Sequence, residues 1–71
     1  MMPLSMLAPG EEGAIRKITG KDEVRSHLAR LGFVEGVAVR VVNSLGGNLI
    51  LQVKDSRVAL DRALASRIFV G

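Results

Sequence analysis

One histidine, seven carboxylates and no cysteine are the side chains from which this chain could build reactive chemistry. Without cysteine there is no disulfide framework, thiolate zinc site, iron–sulfur cluster or cysteine nucleophile. His27 lies three residues after Val24 and four before Leu31, at the edge of an apolar helical stripe, with only Glu23 one turn back. A metal needs several convergent ligands, so this spacing predicts a structural or rim histidine. The acids are Glu11, Glu12, Asp22, Glu23, Glu35, Asp55 and Asp61. They fall in turns and at helix starts, where capping and solubility account for them. Glu11 and Glu12 alternate in direction if extended and form no acid–base pair. No serine sits in a nucleophile elbow. Gly46-Gly47 lacks the Lys-Ser/Thr ending of a phosphate loop and reads as a hairpin. The chain is therefore expected to be no enzyme, with no catalytic residue, no cofactor and no bound metal.

The elements that would carry these residues follow from periodicity and punctuation. Leu4, Leu7 and Met6 form one apolar turn able to lid a core, and Pro9-Gly10 is strong turn punctuation. Glu12 to Ile18 reads as a strand with a flaw, because Ile15 and Ile18 are three apart and a bulge is needed to place both inward. Asp22 to Leu31 reads as a helix, with Asp22 as N-cap and Val24, Leu28 and Leu31 on one face. Gly32 suits the left-handed C′ position, which sets Phe33 against Leu28 in a Schellman motif. Val34-Glu35-Gly36 suits a type II turn with positive φ at Gly36.

Val37 to Leu45 alternates, Gly46-Gly47 turns, and Leu49, Leu51 and Val53 alternate on the return. Asp55-Ser56 makes a second tight turn, with Asp55 tolerating the left-handed region. Arg57 to Leu60 is a short strand, Asp61 to Ser66 a helical turn capped by Asp61, and Ile68-Phe69-Val70 a terminal strand. About five short strands, one inserted helix over 22–31 and a helical turn over 61–66 point to a mainly β chain folded as a small barrel.

The 71 residues suffice for one domain, 1–71, and 48% apolar with 24% charged is the balance of an ordered chain. Aromatics are only 3%, which argues against a base-stacking surface. The net charge of +3 comes from scattered cations with no basic run. The first ten residues lack a positive n-region, and Pro3 and Pro9 interrupt their apolar stretch. A signal peptide is not expected, nor is a membrane span, and a cytoplasmic location is the default expectation.

Read in order, Pro3-Leu4-Ser5-x-Leu7-x-Pro9-Gly10, Ile15-x-x-Ile18, Arg30-Leu31-Gly32-Phe33-x-x-Gly36-x-x-Val39, Val58-Ala59-Leu60 and Ala65-x-x-Ile68-x-Val70 resemble the FeoA family over nearly the whole chain. Two departures stand out: Glu35 where the family often has Pro, and Asp55 where it often has Gly. Both residues suit a turn. The resemblance implies an SH3-like β-barrel and a cytoplasmic role in bacterial ferrous iron uptake, a transition metal ion system. The implied partner is FeoB, a membrane permease with a cytoplasmic GTPase domain. No catalytic residue is carried across.

Partner binding needs exposed apolar residues. Leu45, Gly46, Gly47 and Leu49 around the glycine hairpin are the expected contact, because they combine apolar side chains with a protruding turn. Leu4 and Leu7 are read as core. Gly32, Phe33 and Gly36 are expected to serve the cap and turn. Two other readings compete: a small nucleic-acid-binding barrel, and a regulatory domain like that of iron-dependent repressors. A homo-oligomer is compatible with all three.

Overall fold

The computed structural model describes residues 1–71. Six antiparallel strands follow the order β1-β6-β2-β3-β4-β5, where β1 is Met2–Pro3, β2 Glu12–Ile18, β3 Ala38–Leu45, β4 Asn48–Val53, β5 Ser56–Asp61 and β6 Ile68–Val70. A 3-10 turn, Leu4–Met6, follows β1; helix α1, Asp22–Arg30, lies between β2 and β3; helix α2, Arg62–Ala65, precedes β6.

The flaw in the Ile15–Ile18 spacing is what bends the sheet. Ile15 pairs with Val70 and Lys17 with Phe69, so Arg16 is the extra residue of a bulge. The first half of β2 pairs with β3 and the second half with β6. β2 is thus the corner shared by two halves of the sheet. Ile15 is buried, and Ile18 packs against the core from its rim. A second bulge, between Val41 and Asn43, interrupts the alternation that the sequence suggests for β3.

The corner is tight. A Cβ added to Gly13 would meet the Val70 Cβ at 2.9 Å and its Cγ2 at 3.0 Å. Val70 is itself 2% exposed and has no room to withdraw. Gly13→Ala should therefore force β2 and β6 apart and destabilise the fold by about 1–3 kcal/mol. Chemical denaturation giving the parental midpoint would show that the corner yields freely.

Thirteen apolar side chains make one core, and no polar side chain is buried. β3 contributes Val39 and Val41, and β4 contributes Leu49, Leu51 and Val53. α1 contributes Leu28, with Val24 and Leu31 half-buried beside it. Leu4 enters from the 3-10 turn as the expected lid, whereas Met6 points to solvent at 68% exposure.

Several local expectations are corrected. There are six strands, because Met2 and Pro3 pair with Val70 and Phe69; two residues are too few to carry a period. Asp22 is not the N-cap. Lys21 is the last extended residue, at φ −69° and ψ 157°, and makes no side-chain cap, so Asp22 is the first helical residue. The helix ends at Arg30, with Leu31 as its C-cap. In the β4–β5 hairpin Val53 pairs with Ser56, so Lys54 and Asp55 are the turn residues. The left-handed conformation falls on Lys54, at φ 52°, rather than on Asp55. The Gln52 side-chain amide donates to the Lys54 carbonyl at 2.9 Å, which ties that turn down. Asp61 does cap α2: its Oδ1 accepts from the Leu64 N–H at 2.8 Å.

Candidate protein-docking surface

The reactive side chains do not converge. No group of three His, Cys, Asp or Glu residues is placed to hold a metal ion. His27 is exposed on α1. Val24, Leu28 and Leu31 turn to the core beside it, and no set of ligands stands near enough to complete a metal site. Calorimetry with ferrous or zinc ions should therefore give the same weak heats for the parent and for His27→Gln. Tight binding lost in the variant would contradict this.

The expected contact region divides on folding. Leu45 ends β3 and is 59% exposed, whereas Leu49 is 1% exposed. Leu49 belongs to the inward set with Leu51 and Val53, so it supports the hairpin from within and offers no contact surface. Gly46, at φ 59°, and Gly47 make the two-residue turn, both exposed. A Cβ on either would meet nothing within 4 Å.

Arg62 fixes this tip to the rest of the molecule. Its backbone N–H donates to the Gly47 carbonyl at 3.1 Å. Its Nη1 donates to the Ser5 carbonyl and its Nη2 to Ser44 Oγ, both at 3.3 Å. One guanidinium thus spans the 3-10 turn and the end of β3. The residues that follow Ser5 and Ser44 are Met6 and Leu45, the two most exposed large apolar side chains after Met1. A protruding turn with two flanking apolar side chains on a braced backbone is suited to burial against another protein. Sequence reading named the hairpin but missed Met6 and Arg62 as part of it. Only the alternation of Leu4 inward and Met6 outward could have hinted at the first, and nothing local marks the second.

Gly32, Phe33 and Gly36 lie elsewhere and act within the fold. Gly32 has φ 106° and Gly36 φ 88°. The Gly32 N–H donates to the Ala29 carbonyl and the Phe33 N–H to the Leu28 carbonyl, each at 3.0 Å, which is the bond pattern of a Schellman motif. The Gly36 N–H donates to the Ile15 carbonyl at 2.8 Å, pinning the turn to the β2 corner. Beside it runs a shallow open groove between β2 and α1, floored by Ile18, Ala29, Phe33 and Val34 and rimmed by Lys17, Arg25 and Glu35. No helix of the chain is long and apolar enough to cross a membrane.

Comparison with known proteins agrees with this architecture. The model of the FeoA domain matches residues 2–71. The Fe(2+) transport protein A of Methanocaldococcus jannaschii is 31% identical over 70 residues, covering 99% of this chain and 85% of that protein. A structure of Stenotrophomonas maltophilia FeoA in complex with zinc, described as an SH3 domain protein, superposes with a TM-score of 0.88. It is 31% identical and covers 100% of this chain and 91% of its own. A manganese-dependent transcriptional repressor shares the fold alone, with a TM-score of 0.86 at 20% identity over 96% of this chain and 39% of the repressor. With a domain model matched almost end to end and a relative of similar length above 30% identity, the chain belongs to the FeoA family and has its SH3-like fold.

Proposed function

We propose that the chain is a non-enzymatic accessory protein of ferrous iron uptake that binds the cytoplasmic side of a FeoB-type permease through the β3–β4 tip. Family membership supports the place in iron transport. The observation that carries the docking mode is the braced tip: Arg62 bonds to Ser5 and Ser44, and the residues that follow them, Met6 and Leu45, are 68% and 59% exposed. Ferrous iron is the permease's cargo in this reading, and the accessory protein acts by association with the transporter.

The nucleic-acid reading lacks a platform. Phe33 is buried and Phe69 half-buried in the strand paired with both β1 and β2, so neither presents a face for stacking. The repressor reading rests on a likeness of fold alone.

Deleting the gene should lower ferrous iron uptake in the host, and the parental gene should restore it. Iron uptake unchanged by the deletion, at limiting ferrous iron, would overturn the proposed role. The partner's binding to the folded state should also raise the melting temperature of the accessory protein, by mass action.

A further inference from the structure

The strand at the open end of the sheet carries a charge pattern that complements itself. β5 pairs with β4 alone, and no strand follows it in the sheet. In an antiparallel ladder alternate residues bond to the neighbour. Val53 and Ser56 close the two-residue turn, so Ser56, Val58 and Leu60 face β4, and Arg57, Ala59 and Asp61 turn their N–H and C=O groups to the open side. The opposite edge, β1, is two residues long and one of them is Pro3, which has no donor. β5 is thus the long free edge, and the residue at its middle, Ala59, has a side chain too small to block it.

The side chains of Arg57, Ala59 and Asp61 share the exposed face of the strand. Arg57 and Asp61 stand symmetrically about Ala59. Arg57 Nε donates to Gln52 Oε1 at 3.1 Å, which fixes the stem and leaves both terminal nitrogens free. It has no acidic partner, since the chain's one ion pair is Arg25 with Asp22. Asp61 spends Oδ1 on the α2 cap and has Oδ2 to offer.

We propose that this edge pairs with the same edge of a second copy of the chain, antiparallel and centred on Ala59. Ala59 then lies on the two-fold axis opposite the partner's Ala59. Arg57 meets the partner's Asp61, and Asp61 meets the partner's Arg57. Two opposite-charge cross-strand pairs form at once, as an isologous interface requires. Val58, half-buried on the other face, comes opposite the partner's Leu60. A strand from an acidic protein would suit Arg57 but oppose Asp61, and a basic one the reverse; a second copy satisfies both.

Sedimentation equilibrium should show a reversible dimer of the parent protein. Arg57→Glu replaces two attractive pairs with two repulsive ones and should weaken the dimer about tenfold or more. Asp61→Lys should do the same with the opposite sign. An equimolar mixture of the two variants should associate again, because one supplies two acids and the other two bases along the shared edge. Ala59→Pro removes the central N–H and should abolish pairing without touching the β4 ladder. Asp61→Lys also removes the α2 cap, so circular dichroism must show each variant folded; Arg57→Glu and Ala59→Pro decide the question without it. A parent that stays monomeric at millimolar concentration overturns the proposal. So does a dimer that Arg57→Glu and Ala59→Pro leave intact.

Discussion

Phe33→Ala should cost about 3–5 kcal/mol of folding stability, the largest effect expected from any single truncation in this chain. Phe33 is the largest of the fully buried side chains, at 0% exposure. Its ring belongs to the core directly after α1, and its N–H closes the helix by donating to the Leu28 carbonyl. Removing the ring leaves a cavity in that core, and its cost adds to the lost burial. The loss also withdraws the apolar contact that accompanies the Schellman cap, so the end of α1 should fray. Urea denaturation of parent and variant measures the effect. A variant that unfolds at the parental midpoint would remove both the core and the cap assignment.

Leu45→Glu should reduce affinity for the permease by about 2–5 kcal/mol while leaving the fold intact. Lost binding and a kept fold are two halves of one effect, both set by the exposure of Leu45. At 59% exposure the Leu45 side chain has little to lose inside the free protein, so its stability should change by no more than about 0.5 kcal/mol. Once the tip is buried against a partner, a carboxylate there must shed its water without a cation to receive it. Arg62, which holds the tip, already spends its terminal nitrogens on Ser5 and Ser44. Leu49→Glu would be uninformative, because Leu49 is core and a charge there unfolds the protein. Isothermal titration with the permease's cytoplasmic domain, alongside thermal melts, separates the two halves. A folded Leu45→Glu protein with parental affinity places the contact elsewhere, and the groove floored by Ile18, Ala29 and Val34 is the next surface to test.

How far such features can be read without coordinates depends on whether their cause is local. The β2 bulge is readable because Ile15 and Ile18 break the period within one strand. The cap of α1 is readable because Gly32 and Phe33 follow the last periodic leucine, and Asp61 announces α2 by the same short-range logic. Leu49 was separable from Leu45 by alternation with Leu51 and Val53, yet its nearness to the glycine turn argued the other way; pairing across the hairpin decides it. Three features have causes that are distant in sequence. Gly13 is required because Val70 crosses it, β1 exists because β6 offers an edge, and Arg62 braces the tip because Ser5 and Ser44 arrive beside it. Lys54 in the left-handed region is local, but the position of the turn depends on the β4–β5 register.

Binding to a ferrous iron permease is the proposed work of the molecule. It is tested most directly by passing the purified protein over an immobilised, detergent-solubilised FeoB-type permease. Saturable retention is expected of the parent and of His27→Gln, and loss of retention of folded Leu45→Glu. No retention of the parent at any concentration, with the permease shown to be folded, would contradict it.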